Sequence, residues 1–217
     1  MSKTPLLELS SGYHRFKEAL GNTVLQTIFE EIPMAKLSVF NFTTLNGYYA
    51  GPNGDISWHV HGGEENKYAE EGANSESILL FGRVTYQMMA SYWPTPMAAK
   101  DNPAVAEGMN KSEKIVFSRT LKQADWANTR IVKDNMIDEV KKLKRKRGAD
   151  LTILGSASIV TQLAEAGLID TYQIMVDPVA LGSGAPLFKG MKEKLDLKLT
   201  SSRVFKSGVV LLVYEPK

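Results

Sequence analysis

The chain has 217 residues, a net charge of +2, 43% hydrophobic and 23% charged residues, and no cysteine. This is the composition of one ordinary α/β domain, and it excludes disulfides, thiolate metal sites and cysteine nucleophiles. No apolar run reaches the roughly 18–20 residues of a membrane span, the near-neutral balance makes no case for nucleic acid or an anionic membrane, and Met1-Ser2-Lys3-Thr4-Pro5 does not open a secretory signal; a soluble cytoplasmic protein is expected.

Residues 1–33 are expected to form a helical extension, because Tyr13, Phe16, Leu20, Val24 and Ile28 recur at helical spacing between Gly12 and Pro33. That stripe needs a partner, either the body of the same domain or a second subunit. A domain spanning residues 34–217 follows. Lys36 to Thr44 sets Leu37, Val39, Phe40 and Phe42 among small polar residues and reads as a strand. Leu45 to Trp58 is a glycine-rich loop carrying Tyr48, Tyr49 and Trp58; loops of this length inside compact domains usually carry function. His59-Val60-His61 with Glu64 and Glu65 has the ligand types of a metal site without its geometry, so solvent-facing histidines and no metal are expected.

The chain then alternates. A helix is expected at Glu64 to Gly72, a strand at Ile78 to Phe81, and a helix from Arg83 that carries Tyr86, Met89 and Trp93 and breaks at Trp93-Pro94-Thr95-Pro96. Met88, Met89 and Trp93 are expected in the core. Next come a helix at Ala104 to Asn110, strands at Lys114 to Ser118 and Thr129 to Lys133, and a helix at Asn135 to Lys146. Its basic end, Lys141 to Arg147, suits the helix dipole and reads as a solvated terminus. Leu151 to Leu154 is a strand, Ser158 to Ala166 a helix, and Thr171 to Val176, Leu195 to Phe205 and Gly208 to Tyr214 are strands, the last two joined as a hairpin at Lys206-Ser207.

Two junctions share one chemistry. Phe81-Gly82-Arg83-Val84-Thr85 and Leu154-Gly155-Ser156-Ala157 each place glycine where an apolar strand ends and a helix begins. The first turn of a helix offers unpaired N–H groups and a positive dipole end, to which Arg83 adds a cation and Thr85 a hydroxyl. Open α/β sheets bind ligands outside the carboxyl ends of their strands. Ser118-Arg119 ends a third strand with a hydroxyl and a guanidinium, a pair suited to a further phosphate. Neither G-x-G-x-x-G after a strand nor G-x-x-x-x-G-K-[ST] occurs. Each junction alone also describes α/β turns that bind nothing.

Taken in order, Leu45-Asn46-Gly47, Phe81-Gly82-Arg83-Val84-Thr85, Val116-Phe117-Ser118-Arg119, Ile153-Leu154-Gly155-Ser156-Ala157 and Leu181-Gly182-Ser183-Gly184-Ala185-Pro186-Leu187-Phe188 resemble the dihydrofolate reductase superfamily. Within it the chain is similar to the C-terminal reductase domain of the bifunctional riboflavin-biosynthesis deaminase-reductase. The resemblance implies a three-layer α/β fold with a mixed, mostly parallel sheet of about eight strands closed by an antiparallel hairpin. It also implies an NADPH site and a homodimer. By the same resemblance Gly82, Arg83 and Thr85 meet cofactor phosphates, Ser118 and Arg119 the adenosine 2′-phosphate, Gly155, Ser156 and Ala157 the pyrophosphate, and Leu45, Asn46 and Gly47 border the nicotinamide.

The implied reaction is hydride transfer to a small heterocycle, either a 5-amino-6-ribosylaminouracil phosphate-like pyrimidine or a pterin-like ring. Riboflavin reductases commonly carry aspartate where this chain has Asn46, which has no carboxyl proton, and a glutamate with paired glycines where it has Ile153-Leu154-Gly155-Ser156. The catalytic candidates are Asn46 and Asp55, with the proton coming from Asp55, from Tyr48 or Tyr49, or from water. Tyr49, Trp58, Gly182 and Gly184 are candidates for the substrate side, although Trp58 could equally anchor its loop and Gly182-Ser183-Gly184 form only a tight turn. The alternative to a reductase is a dinucleotide- or ligand-binding protein that keeps the fold without turnover.

Overall fold

The structure, a computed structural model, describes residues 34–217 except 60, 61, 74 and 147; the helix expected within residues 1–33 lies outside the described residues. Strand β1 (Leu37–Thr44) alternates buried and half-buried side chains from Leu37 to Thr43, the period of two of a strand. Short β2 (Tyr48–Ala50) and helix α1 (Gly63–Ala73) follow, then β3 (Ile78–Gly82) and α2 (Arg83–Tyr92). Next are α3 (Pro96–Asp101), α4 (Pro103–Lys111), β4 (Lys114–Phe117), β5 (Thr129–Val132) and α5 (Met136–Arg145). The chain closes with β6 (Leu151–Leu154), α6 (Ala157–Glu165), β7 (Thr171–Asp177), β8 (Ala185–Pro186), β9 (Leu197–Val204) and β10 (Val210–Pro216).

The main sheet has eight strands in the order β5-β4-β3-β6-β1-β7-β10-β9. Strands β5 through β7 in that order pair in parallel, and β10 and β9 add the antiparallel pair that the hairpin at Lys206-Ser207 predicts. Val39, Ile153, Leu80 and Ile115 are register partners across four strands, so they share one face. That face buries Val140 and Leu143 of α5 and Ile159, Val160 and Leu163 of α6. The opposite face packs Leu79, Phe81 and Val116 against Tyr86 of α2, Val105 and Met109 of α4, and Trp126. On that same face Phe40, Phe42 and Met175 meet Tyr68 of α1 and Phe205. Helices on both faces of the sheet make the expected three layers.

Several local expectations are corrected. Pro96 starts α3 rather than merely ending the preceding helix, because it stands at a position that needs no N–H and Thr95 Oγ1 accepts the Ala98 N–H at 3.2 Å. Tyr48–Ala50, read as loop, pairs with Ala185–Pro186. Met88 is 37% exposed, whereas Met89 and Trp93 do pack on the core. Within the basic end of α5, Lys144 is buried and not solvated: its Nζ donates to Leu168 O at 2.8 Å and to the Asp170 carboxylate at 2.5 Å.

A second lysine is buried more deeply. Lys114 opens β4 with no exposed surface, and its Nζ donates to the carbonyls of Met109, Asn110 and Ser112 at 2.8, 3.3 and 2.7 Å, with the Trp126 ring 4.5 Å away. These are carbonyls that the end of α4 leaves without an intrahelical donor. Burial pushes the ammonium down from 10.5 to about 8. Lys114→Met strips the Met109 and Ser112 carbonyls of this donor, Asn110 O keeping Asn128 Nδ2 at 3.1 Å, and should cost about 1–3 kcal/mol in urea unfolding. Between about pH 8 and 10.5 the unfolded lysine holds a proton that the folded one has released, so in this window the wild type should gain stability over Lys114→Met as pH rises. Parallel pH profiles for the two proteins would overturn this account.

Candidate functional site

From β1 the chain crosses to β3 and moves outward through β4 to β5, then returns to insert β6 between β3 and β1 before placing β7 on the far side of β1. The winding therefore reverses beside β6 and β1. At such a reversal the loops leaving neighbouring carboxyl ends diverge and leave a crevice. Adjacent β4, β3 and β6 deliver Ser118-Arg119, Gly82-Arg83 and Gly155-Ser156 to this one edge.

Two of these junctions are locked together. The Gly82 N–H donates to Ser156 Oγ at 2.9 Å, and the Ser156 N–H donates to Thr85 Oγ1 at 3.1 Å. Ser156 adopts a left-handed conformation, φ 60° and ψ 55°, at the start of α6. Gly155 before it is also left-handed at φ 61°, and a Cβ there would stand 3.0 Å from Thr85 Cγ2, so a glycine is needed for both reasons. Buried Asn41 completes the brace by donating from Nδ2 to Gly155 O at 3.1 Å. Neither α2 nor α6 has a side-chain cap. Their first-turn N–H groups therefore open side by side at the same edge, an arrangement that suits a polyphosphate.

The individual candidates divide. The Gly155 N–H is spent on Phe40 O and that of Ser156 on Thr85, so the open donors begin at Ala157. Thr85 is buried and braces the junction while keeping its own hydroxyl proton. Arg83 is exposed and uses Nη1 on Gln87 of its own helix at 2.8 Å, which leaves most of its five N–H donors for a ligand. Ser118 Oγ accepts the N–H groups of Thr120 and Leu121 at 3.2 and 3.0 Å and so shapes the turn after β4. Arg119 Nε lies 3.2 Å from Asp134, with side-chain exposures of 83% and 68%. An exposed pair of this kind is weak enough to give way to a phosphate.

Across β1 lies a second group of residues. The Gly47 N–H returns to Thr44 O at 2.9 Å with Gly47 at φ 84°, closing a turn over Leu45 and Asn46. Leu45 is 73% exposed. The Asn46 side chain pairs with the backbone of one residue in both senses: Nδ2 donates to Leu181 O at 2.7 Å, and Oδ1 accepts the Leu181 N–H at 3.2 Å. Thr44 Oγ1 also donates to Asn46 Oδ1 at 2.8 Å while accepting the Tyr48 N–H at 3.0 Å. Asn46 is thus a clamp between the β1–β2 turn and the loop after β7. Gly184 supports the same contact, since a Cβ there would fall 2.4 Å from Ala50 O; Gly182 has open space around it, and Tyr49 packs half-buried on the main core.

Asp55 accepts the Ser57 N–H at 2.9 Å, and this hydrogen bond holds its exposed carboxyl below the usual carboxylate range. Near neutral pH it is an acceptor, the opposite of the proton donor sought at this position. Trp58 Nε1 donates to Asp55 O at 3.1 Å, so the indole anchors the loop. His59, expected in solvent, is 6% exposed, and its Nδ1 lies 3.0 and 2.9 Å from the two carboxylate oxygens of fully buried Asp177. The partner stands 118 positions away, so no local pattern could reveal the pair. Asn41 was missed for the same reason.

A cleft of about 710 Å³ opens at the opposite edge, among Ile78, Glu107, Lys111, Arg130, Glu139 and Lys142. Charges of both signs line it, with Arg130 already paired to Glu139 at 2.8 Å, and it lies away from the carboxyl ends of the strands, so the strand-end crevice is the stronger candidate. Among the described residues, no helix is long and apolar enough to cross a membrane, and no cluster of three or more His, Cys, Asp or Glu is placed to hold a metal.

Asn46→Asp removes the donor to Leu181 O and sets a carboxylate against that carbonyl. It should cost about 0.5–1.5 kcal/mol and accelerate amide hydrogen exchange through residues 178–184. Unchanged exchange in that segment would show that the clamp holds nothing.

The RibD C-terminal domain family model matches residues 35–211. YyaP of Bacillus subtilis (strain 168), an uncharacterized protein, is 33% identical over 172 residues, which cover 79% of this chain and 89% of YyaP. Among solved structures, the diaminohydroxyphosphoribosylaminopyrimidine deaminase/5-amino-6-(5-phosphoribosylamino)uracil reductase of Thermotoga maritima matches with a TM-score of 0.62 at 13% identity, over 92% of this chain and 61% of that one. Dihydrofolate reductase from Enterococcus faecalis, complexed with NADP(H), matches with a TM-score of 0.58 at 15% identity, over 84% and 96% of the two chains.

Proposed function

The chain belongs to the RibD C-terminal domain family, and from that membership we propose that it is an NADPH-dependent reductase acting on a small heterocycle. The observation that carries the reading is the pair of uncapped helix starts at Gly82 and Ser156, locked side by side beneath exposed Arg83. The Enterococcus faecalis relative complexed with NADP(H) supports the choice of dinucleotide. Arg83, the first-turn N–H groups of α2 and those of Ala157 and Ser158 in α6 would hold the diphosphate. Ser118 and Arg119 stand one strand further out, where they would hold the 2′-phosphate. The Leu45–Gly47 turn would border the nicotinamide, kept in place by the Asn46 clamp. The chemistry that a bound NADPH supplies is hydride donation to an electrophilic carbon of a conjugated C=N or C=O, in a pyrimidine-like or pterin-like ring. The protein's part is to orient the acceptor and keep water from the reacting carbon.

A second reading, a dinucleotide-binding protein without turnover, draws on Asn46, whose amide is committed to Leu181, and on ionised Asp55. Nicotinamide absorbance with a panel of pterins, pyrimidines and flavin precursors separates the two readings: oxidation supports the reductase, and binding without oxidation on any of them supports the second. Arg83→Ala should weaken NADPH binding by roughly 10- to 100-fold, the value of one charge-assisted bond. Arg119→Ala should weaken NADPH binding and leave NADH, which has no 2′-phosphate, unchanged. Fluorescence titration reads both, and equal losses for the two cofactors in Arg119→Ala would remove the 2′-phosphate assignment.

A further inference from the structure

We propose that Thr43 is a cofactor-binding residue whose hydroxyl holds the carboxamide of the nicotinamide; this rests on the dinucleotide site proposed above.

The hydroxyl itself is the first ground. Among the buried polar and charged side chains of the described residues, Thr43 alone makes no hydrogen bond. Thr43 is 6% exposed, and no fully buried side-chain nitrogen or oxygen among the described residues lacks a partner, so the hydroxyl belongs to the surface that remains. Buried polar groups are as a rule hydrogen-bonded. Valine would fill the same space with no polar group to satisfy, so packing does not call for this hydroxyl.

Its position is the second ground. Alternation along β1 puts Thr43 on the face of Val39 and Asn41, the face that α6 covers. Strand β1 keeps its ladder with β7 up to Thr44 but pairs with β6 only up to Phe40, whose carbonyl accepts the Gly155 N–H. From Asn41 to Thr44 the flank of β1 toward β6 therefore carries no strand and forms a wall of the crevice. Asn41 marks the foot of that wall, with Nδ2 on Gly155 O at 3.1 Å and Oδ1 without a partner among the described residues. Thr43 stands two residues, roughly 7 Å, further along the same face. It lies between the uncapped start of α6 and the Leu45–Gly47 turn that Thr44 closes.

Chemistry selects the partner. A threonine hydroxyl both donates and accepts, and a primary carboxamide offers an acceptor oxygen beside its N–H donors, so the two match in either sense. The phosphates are anions and fall to Arg83, Arg119 and the helix starts. Thr43 is neutral and one strand away from those groups, about the reach of the ribose that joins phosphate to nicotinamide. A bond from Thr43 stops the ring turning about its link to that ribose and so fixes the ring face presented to the acceptor.

Calorimetric titration of the full chain with NADPH and with 2′-phospho-ADP-ribose, the same molecule without its nicotinamide, tests the assignment. Thr43→Val should bind NADPH roughly 3- to 10-fold more weakly, the worth of one neutral hydrogen bond, and bind 2′-phospho-ADP-ribose as the wild type does. Thr43→Ser keeps the hydroxyl and should bind NADPH within about twofold of the wild type. Equal weakening of both ligands in Thr43→Val puts the effect on the fold or the phosphate end, and unchanged NADPH binding shows that the hydroxyl touches nothing; either result overturns the proposal. If the variants do not fold, the wild type decides: its Thr43 methyl NMR signal should move with NADPH and stay with 2′-phospho-ADP-ribose, and an equal response to both overturns the assignment. A wild type that binds neither ligand sinks the dinucleotide reading and this assignment with it, whereas one that binds both equally well with valine at position 43 sinks the assignment alone.

Discussion

Two helices can present their amino ends to one ligand only if the strand ends beneath them are held at one level, and Ser156 does this for α2 and α6. It accepts from the Gly82 N–H, donates its own N–H to Thr85 and sits in the left-handed conformation that begins α6. Gly155 allows Thr85 to close against the backbone, and Asn41 fixes the Gly155 carbonyl. All of these contacts are neutral. They therefore order the junction without neutralising the positive helix ends or occupying the whole Arg83 guanidinium, and the crevice is organised before any anion arrives.

The other half of the site is built on a different principle. Its loops have little secondary structure of their own, and side chains bridging distant segments hold them: Asn46 to Leu181, Gly184 beneath Ala50, and His59 to Asp177. A crevice made of backbone tolerates many side-chain changes, whereas a wall made of three side-chain bridges changes with each one. Asn46 is the first of these bridges. Its amide joins two loops and carries no acidic proton.

This division also explains what the sequence made legible. Strand–glycine–helix junctions are local, so Phe81-Gly82-Arg83 and Leu154-Gly155-Ser156 announce themselves, as do β1, the parallel strands and the closing hairpin. The lock through Ser156 is invisible because its partners lie 74 and 71 positions away. Tyr48–Ala50 has too few residues to display an alternation, and its pairing with Ala185–Pro186 exists only once the loops have met. His59 lies beside a loop and Lys144 in a run of basic residues, so the local sequence places both in solvent; long-range partners bury both.

The two buried lysines belong to the same electrostatic design as the open helix starts. In a sheet wound with helices between parallel strands, helix amino ends gather at the carboxyl edge and helix carboxyl ends at the amino edge. Lys114 takes three carbonyls where α4 gives way to β4, and Lys144 takes Leu168 O where α6 leads into β7. The carboxyl end of α4 is thus met internally by a cation, while the starts of α2 and α6 at the other edge have no side-chain cap. A chain with a net charge of only +2 can in this way attract a polyanion strongly at one crevice, because the field comes from backbone left open at one edge and closed at the other.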